Sequence, residues 1–213
     1  KMFRNQLSPE QILKCRWILT WKPIENSELD PRNPQKTQRA KARIVVLGYM
    51  DPKITEIPRD SPTLNKLSKM LILQLIASRS WDLRSFDIKA AFLQGRPQSD
   101  RVIGIEPVPE LAKRMQILPS EICRLTKSAY GLIDAPFLWY QALKDELMQL
   151  GFETSPFCPC TFVLRNPQTK EPDGIIGIHV DDGLCGGNQR FVEKLQALER
   201  KYPFGSHKTG QFT

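Results

Sequence analysis

Two adjacent aspartates stand between apolar runs in the last fifth of the chain. Residues 175–180 read IIGIHV, Asp181 and Asp182 follow, and residues 183–185 read GLC. The simplest structure for this segment is a β-hairpin with the two aspartates at its tip. Asp-Asp-Gly is also common in surface turns, because Asp and Gly tolerate turn dihedral angles. The segment alone predicts a hairpin and leaves the role of its carboxylates open.

A third aspartate lies at the end of another predicted strand. Residues 81–88 are predicted as this strand, and Asp87 comes near its end, before small residues. Carboxylates at the ends of two strands can converge at one sheet edge, where their oxygens suit Mg²⁺. Two such ions about 4 Å apart can activate a 3′-hydroxyl and stabilise a leaving pyrophosphate. The alternative for Asp87 is a strand-end cap, and the aspartate pair is what favours a metal ligand.

The chain is basic, with a formal net charge of +8. An excess of Lys and Arg attracts polyanions by Coulomb attraction and counterion release. Nucleic acid is the favoured polyanion, although many basic proteins bind none. No apolar run approaches the roughly 20 residues that span a bilayer, so we expect no membrane partner. The sequence opens at Lys1 without a signal peptide, and we expect a piece of a longer protein.

Cysteine spacing argues against a zinc site. The five cysteines are scattered, and the two that lie closest together form C-x-C rather than C-x-x-C. Only two histidines are available as further ligands. Reduced thiols in an intracellular protein are the better interpretation. The cysteines are Cys15, Cys123, Cys158, Cys160 and Cys185.

Strand and helix patterns alternate along the chain and predict an α+β fold, with a sheet covered by helices on one face. Apolar residues at helical spacing predict a helix over 63–80, starting near Ser61 and Pro62; these residues are Leu64, Leu67, Leu71, Leu75 and Ile76. Further helices and strands are predicted from amphipathic and β-branched patterns. The helices are 138–150 and 190–201; the strands are 16–21, 42–49, 161–165 and 174–179; the long connections are 22–40 and 96–120.

Five segments, taken in order, resemble the reverse transcriptases of copia-type LTR retrotransposons. The resemblance covers roughly residues 14–213. It implies the fingers and palm of a right-hand polymerase, with an antiparallel palm sheet backed by helices and the thumb missing. The segments are 41–49 (KARIVVLGY), 86–95 (FDIKAAFLQG), 128–140 (SAYGLIDAPFLWY), 151–156 (GFETSP) and 178–182 (IHVDD).

The resemblance also implies domain limits, an activity and partners. Fingers would occupy 1–80, palm 81–95, a fingers/palm connection 96–137 and palm again 138–213. The activity would be RNA-directed DNA polymerisation, adding dNTPs to a primer 3′-end with two Mg²⁺ ions or Mn²⁺ as a substitute. Partners would be an RNA or DNA template with primer, and the RNase H and integrase parts of a polyprotein. The location would be intracellular and cytoplasmic, with virus-like particles as one setting.

The resemblance assigns catalytic and metal-binding roles to the predicted strand ends. Asp87 and Asp181 would be metal ligands, Asp182 a supporting carboxylate, and the backbone carbonyl of Ile88 a further ligand. Phe92 matches the steric gate that excludes a 2′-hydroxyl. The alternative for Phe92 is a buried core residue.

Other residues would contact the nucleotide or the primer and template. Lys41 and Arg43 lie two apart on a predicted strand, so they share one face and would clamp the triphosphate. The alternative is a solvated basic face. Tyr130 and Gly131 would lie beside the incoming nucleotide, where glycine permits close approach. His179 and Val180 would contact primer and template; Lys208 would protonate pyrophosphate or be a plain surface lysine.

Departures from the family pattern leave a second function open. His179 replaces a tyrosine, residues 133–135 replace Lys-Gln-Ser, and Leu47 replaces a basic residue. Gaining Asp134 beside template phosphates would weaken binding. The alternative is a decayed, non-catalytic nucleic-acid-binding remnant. A third hypothesis is an unrelated two-metal phosphodiesterase or nuclease. Trp139 and Tyr140 are predicted as core, and the lack of a thumb predicts weak polymerisation by this chain alone.

Overall fold

The structure, a computed structural model, describes residues 1–24, 35, 37–97 and 101–210. This part of the chain holds eleven strands and four α-helices. The strands are β1 (Met2–Phe3), β2 (Ile12–Pro23), β3 (Gln38–Val46), β4 (Leu83–Ile88), β5 (Gly104–Glu106), β6 (Glu121–Arg124), β7 (Phe152–Ser155), β8 (Cys158–Arg165), β9 (Pro172–His179), β10 (Asp182–Gly187) and β11 (Phe204–Gly210). The helices are α1 (Lys66–Ser78), α2 (Pro109–Arg114), α3 (Ala135–Gln149) and α4 (Gln189–Lys201). The predicted mixture of helices and strands is confirmed.

These elements form two compact units. The first unit comprises residues 1–57 and 98–133, and the second comprises 58–97 and 134–213. The predicted domain limits at 80, 95 and 137 stay a prediction. Among the described residues, no helix is long and apolar enough to cross a membrane.

The first unit contains a five-stranded sheet in the order β1-β6-β5-β2-β3. β2 and β3 pair in register from Cys15 opposite Val46 to Pro23 opposite Gln38, and we call this pair the β2–β3 ribbon. The two predicted strands are confirmed. Most of the connection predicted between them, residues 25–34 and 36, lies outside the described residues. Within the predicted irregular stretch 96–120, the structure forms β5 and α2.

The β2–β3 ribbon has two chemically different faces. Residues directly opposite in an antiparallel pair point to the same side, and successive residues alternate sides. Arg43 is opposite Ile18 and Lys41 is opposite Thr20, so the two cations share a face as predicted. The other face presents Trp17, Leu19 and Trp21, all exposed. Charge and aromatic surface are therefore separated across the ribbon.

The second unit is built on a six-stranded antiparallel sheet in the order β11-β4-β10-β9-β8-β7. Its larger core lies on one face, where Trp139 of α3 and Phe191 of α4 join Ile176 and Ile178 of β9. A smaller cluster groups Ile72 and Ile76 of α1 with Ile175 of β9. Because neighbouring residues of β9 enter different clusters, both sheet faces carry helices. The prediction of helices on one face is wrong.

α1 begins later than the sequence predicted, and of the predicted apolar set it buries Ile76 but exposes Leu67 and Leu71. Its cap is Asn65, whose side chain accepts a hydrogen bond from the Ser68 backbone N–H at 2.8 Å, so the start near residue 61 is wrong. The helix packs on glycines of the sheet: a Cβ at Gly177 would lie 2.5 Å from Cδ1 of Ile72. Leu67, predicted on the buried stripe, is 70% exposed.

α3 and α4 follow their predictions closely. α3 begins three residues earlier than predicted, with Pro136 in its first turn, and ends before Gly151, whose φ is +94°. That left-handed conformation is the usual helix stop for glycine. Trp139 and Tyr140 are buried, as predicted. The segment 190–201 is helical and buries one stripe on the sheet.

Candidate metal centre

A two-residue turn joins β9 to β10 at the aspartate pair. His179 is opposite Asp182, so the predicted hairpin is confirmed, but its loop is Val180 and Asp181, and Asp182 is the first residue of β10. Only the first loop residue has a positive φ, +62° at Val180, which is the pattern of a type II′ turn. Glycine normally takes that position, and a β-branched residue there costs about 1–3 kcal/mol. The rest of the unit must hold this turn in place.

The glycine after the aspartate pair has a packing role. Gly183 lies within β10, opposite Phe86 of β4, rather than in the turn. A Cβ on Gly183 would lie 2.1 Å from Cζ of Phe86. The Phe86 ring is itself stacked on Phe204, with centroids 4.3 Å apart and planes at 6°. Because Gly183 lies in β10, the interpretation of this glycine as a turn residue is wrong. A larger side chain at this position would displace Phe86.

Strand β4 brings the third carboxylate to the turn. Asp87 is opposite Asp182 in the β4–β10 register, and the Ile88 N–H donates to the Asp181 carbonyl at 2.9 Å. One carboxylate oxygen from each of the three aspartates can be chosen so that all lie within 4.8 Å of one another. Residues from two distant parts of the chain thus meet at one place, as predicted. We call this cluster the carboxylate triad.

Burial and a neighbouring carboxylate act on one member of the triad. Burial raises the pKa of Asp182, the neighbouring Asp181 carboxylate raises it further, and His179 opposes both effects. Hard oxygen ligands at this separation suit Mg²⁺ or Mn²⁺, which would remove the repulsion. The donor set therefore fits a divalent cation. That these residues bind one remains a prediction.

A glycine missed by sequence reasoning makes room for Asp87. Gly205 lies where the register of β11 against β4 shifts, between Phe204 and Ser206. A Cβ on Gly205 would lie 2.5 Å from Oδ2 of Asp87. The local sequence Tyr-Pro-Phe-Gly after α4 was the available signal, because an isolated glycine in a strand often marks a bulge or a close approach.

A cavity of about 600 Å³ opens beside Asp182. Apolar groups of β4 and β10 form part of its wall, and basic side chains form another part. Lys208 of β11 lies in this wall, in the same cavity as Asp182, and its role with pyrophosphate stays a prediction. The basic residues of the wall are Lys66, Lys69, His179 and Lys208.

Two further predicted residues lie in the second unit close to Asp87 in sequence. Ile88 is buried and ends β4, and its N–H is directed to the turn. Phe92 lies in a short 3₁₀ helix, Ala91–Gln94, and is half-buried against the larger core. This packing agrees with the core alternative for Phe92. The steric-gate role and the Ile88 carbonyl ligand stay predictions.

The remaining predicted nucleotide residues lie in the first unit. Lys41 and Arg43 are half-buried on β3. The Tyr130 carbonyl accepts a hydrogen bond from the Val46 N–H at 2.8 Å. Gly131 has a φ of +91°, and a Cβ there would lie 2.1 Å from the Val46 oxygen. Close backbone approach at Gly131 is thus explained by β3, and its contact with a nucleotide stays a prediction.

Asp134, one of the departures from the family pattern, is buried at the N-terminus of α3. A helix N-terminus favours negative charge, because unpaired backbone N–H groups point toward it. The position therefore favours the negative charge of this carboxylate, although its side chain does not cap the helix. Its predicted weakening of template binding is untested.

Comparison with known proteins identifies similar chains. A family model described as "Reverse transcriptase (RNA-dependent DNA polymerase)" matches residues 13–204. The retrovirus-related Pol polyprotein from transposon RE2 of Arabidopsis thaliana is 33% identical over 201 residues, which cover 92% of this chain and 13% of the relative. The Pol polyprotein from transposon TNT 1-94 of Nicotiana tabacum is 28% identical over 186 residues, covering 86% of this chain and 13% of the relative.

A yeast relative extends the comparison beyond plants. The transposon Ty1-BL Gag-Pol polyprotein of Saccharomyces cerevisiae is 27% identical over 202 residues, covering 87% of this chain and 11% of the relative. The chain spans about 13% of the length of the plant relatives it matches. The resemblance drawn from the five sequence segments is confirmed.

Proposed function

This chain belongs to the reverse transcriptase (RNA-dependent DNA polymerase) family of copia-type retrotransposons, and on that premise we propose that it adds deoxynucleotides to a primer 3′-end on an RNA template. The observation that supports this activity most directly is the carboxylate triad, whose oxygens lie within 4.8 Å of one another. Family membership supports this reaction, and the triad offers carboxylate oxygens of the kind that a two-metal mechanism would use.

The proposed metal-binding and primer-contacting roles fall on residues at and beside the carboxylate triad. Asp87 at the end of β4 and Asp181 in the turn hold the cations, with Asp182 as a supporting carboxylate and the Ile88 carbonyl as a further ligand. When bound, a pair of Mg²⁺ ions would activate the 3′-hydroxyl and stabilise the leaving pyrophosphate. His179 faces primer and template from its exposed position beside the turn.

Roles for the rest of the chain follow from the family resemblance. We assign the palm to the six-stranded sheet of the second unit, including 81–95 and 138–213, and the fingers to the N-terminal strands. Lys41 and Arg43 neutralise the triphosphate, Phe92 excludes the 2′-hydroxyl, and Tyr130 with Gly131 borders the nucleotide. Template, primer, dNTPs and other polyprotein parts are the proposed partners.

Titration with Mn²⁺ tests the metal assignment. The chain is titrated by electron paramagnetic resonance, alone and with a dNTP, and compared with Asp181→Asn and with Asp60→Asn, an exposed aspartate of the same unit. We expect Asp181→Asn to lose the tight Mn²⁺ site and Asp60→Asn to keep it. Mn²⁺ affinity that is equal in all three proteins would exclude the assignment.

Single-turnover primer extension tests the activity. The chain is used in excess over a labelled DNA primer on an RNA template, so that weak binding of the duplex does not limit the signal. We expect Mg²⁺-dependent addition of one deoxynucleotide, lost in Asp181→Asn. Duplex binding without extension, at concentrations where Mn²⁺ and dNTP bind, would support a non-catalytic remnant; strand cleavage without nucleotides would support a nuclease.

A further inference from the structure

The peptide between Val180 and Asp181 determines where the Asp181 carboxylate lies. Val180 has a φ of +62°, in the left-handed region that β-branched residues rarely adopt. A turn with an unfavourable first residue has other backbone conformations within reach. Contacts from outside the turn are therefore needed to keep this peptide, and with it Asp181, in one orientation.

Two hydrogen bonds from outside the hairpin meet the carbonyls of both loop residues. The Trp139 indole N–H donates to the Val180 oxygen at 2.7 Å. The Ile88 backbone N–H donates to the Asp181 oxygen at 2.9 Å. One bond comes from α3 and the other from β4, so the turn is held from two elements that are themselves packed in the core.

Trp139 is rigidly placed. It is 1% exposed and belongs to the larger core of the second unit. Its ring meets the Tyr202 ring edge to face, with centroids 5.1 Å apart and planes at 82°. Packing on α3 and against Tyr202 fixes the direction of the indole N–H before any ligand arrives.

We propose that Trp139 is a positioning residue for the metal ligand Asp181, acting through its hydrogen bond to the Val180 carbonyl. This inference rests on the proposed function, because it takes Asp181 as a ligand. Burial alone assigns Trp139 to the core, and an apolar ring would serve that purpose. The indole N–H aimed at the carbonyl before Asp181 is what an apolar ring would lack. Supporting groups of this kind typically change metal affinity by about 10–100-fold.

An isosteric replacement separates the hydrogen bond from the packing. Site-specific incorporation of 3-benzothienylalanine at position 139 replaces the indole N–H by sulfur and keeps the ring shape. The same replacement at Trp81, which packs against the smaller cluster of the same unit, is the matched control. Thermal unfolding of all proteins establishes that each is folded.

We expect Mn²⁺ to bind about tenfold more weakly after replacement at 139 and unchanged after replacement at 81. In the metal-free protein, we expect millisecond exchange broadening of the Asp181 amide signal after replacement at 139 only. This second readout does not depend on a bound ion. Unchanged Mn²⁺ affinity in a folded protein would overturn the proposal, and so would an Asp181 signal that stays sharp.

Asp181→Asn, measured in the same titration, distinguishes the two hypotheses. If Asp181→Asn abolishes the Mn²⁺ site and the isostere leaves it unchanged, the positioning role is wrong and the metal assignment stands. If Asp181→Asn leaves Mn²⁺ binding unchanged, the metal assignment itself fails. A tenfold loss with the isostere beside a complete loss with Asp181→Asn is the result that supports both.

Discussion

The β2–β3 ribbon of the first unit and the β9–β10 hairpin of the second are both antiparallel pairs, yet they place charge in opposite ways. The ribbon carries Lys41 and Arg43, both half-buried, along the length of β3. The hairpin is buried over 173–178, and two of its three carboxylates, those of Asp181 and Asp182, lie in or beside its two-residue turn. The ribbon distributes cations along a strand, and the hairpin places two carboxylates close together.

The difference follows from what each charge would have to do. Cations that attract a polyanion act over a Debye length of about 8–10 Å, so a surface position is sufficient. Carboxylates that share a cation must lie within a few ångströms, and they repel one another until it binds. The triad therefore needs a buried framework, which here includes Phe86 packed tightly against Gly183. Cations that attract a polyanion can therefore lie at the surface, whereas carboxylates that share a cation need a buried framework to fix their separation.

The largest effect that would test this comparison is on metal binding. We expect Asp87→Asn to weaken Mn²⁺ binding by more than about 100-fold, since ligand loss should exceed the 10–100-fold typical of supporting residues. Lys41→Ala should leave Mn²⁺ affinity within about twofold. Titration calorimetry measures both. Equal losses of Mn²⁺ affinity in Asp87→Asn and Lys41→Ala would contradict the proposed difference between the carboxylate triad and the ribbon.

A steric change in the hairpin should cost stability. We expect Gly183→Ala to lower the free energy of unfolding by about 1–3 kcal/mol, because the new methyl group overlaps the Phe86 ring. Gly210→Ala is the control, since nothing lies within 4 Å of a Cβ built there. Denaturant unfolding followed by circular dichroism measures both. A Gly183→Ala protein as stable as Gly210→Ala would contradict the packing role.

pH should act on the triad in two opposite directions. Because the folded-state pKa of Asp182 is raised, the folded metal-free protein binds more protons than the unfolded chain over the window between the two pKa values. That contribution to stability is present at low pH and is lost as pH rises through the folded pKa. Protons compete with the cation, so Mn²⁺ affinity should fall by up to about tenfold per pH unit below it.

The control for the pH prediction is Asp182→Asn. Its metal-free stability should lack this pH-dependent contribution and should exceed that of the parent chain near neutral pH by at most about 1 kcal/mol, as for a partly exposed charge pair. Thermal unfolding across a pH series gives the comparison. A parent chain that gains metal-free stability from Asp182 as pH rises would have the sign opposite to our prediction.

The smallest effect should come from the ribbon. Arg43→Ala should change stability by less than about 1 kcal/mol, while the slope of log affinity for single-stranded RNA against log salt should become shallower by roughly one unit. Fluorescence anisotropy over a salt series measures the slope. An unchanged slope would place Arg43 outside the nucleic-acid contact.

Local patterns in the sequence were sufficient to predict most elements and the convergence of the carboxylates. The amphipathic spacing over 138–150 is a strong signal because the helix has one buried face, and the apolar runs around Asp181 and Asp182 suit strands buried on both faces. Asp87 was expected to meet that turn because it also lies near a strand end, and the motif resemblance then assigned the metal-binding roles. The structure confirms the helix, the hairpin and the convergence, and the metal-binding roles stay predictions.

Features decided by distant packing could not be predicted. On α1, one stripe holds Leu67 and Leu71 and another holds Ile72 and Ile76, and both have helical spacing. Only the glycine-lined sheet surface at Gly177 selects the second stripe. The positive φ of Val180 could not be predicted either. Gly183 lies nearby and is the residue type that favours a positive φ, but the turn places that conformation on a valine, which disfavours it.

The strand order of the second unit has a consequence for how the protein folds. Asp87 and Asp182 lie opposite each other on neighbouring strands, although they are about 95 positions apart in the chain. Contacts of such long range form slowly, because the intervening loop must close before pairing rewards it. A chain that has formed only the β9–β10 hairpin has Asp181 and Asp182 in place but lacks Asp87, so the carboxylate triad is incomplete. Capture of a divalent ion should therefore serve as a late reporter of folding.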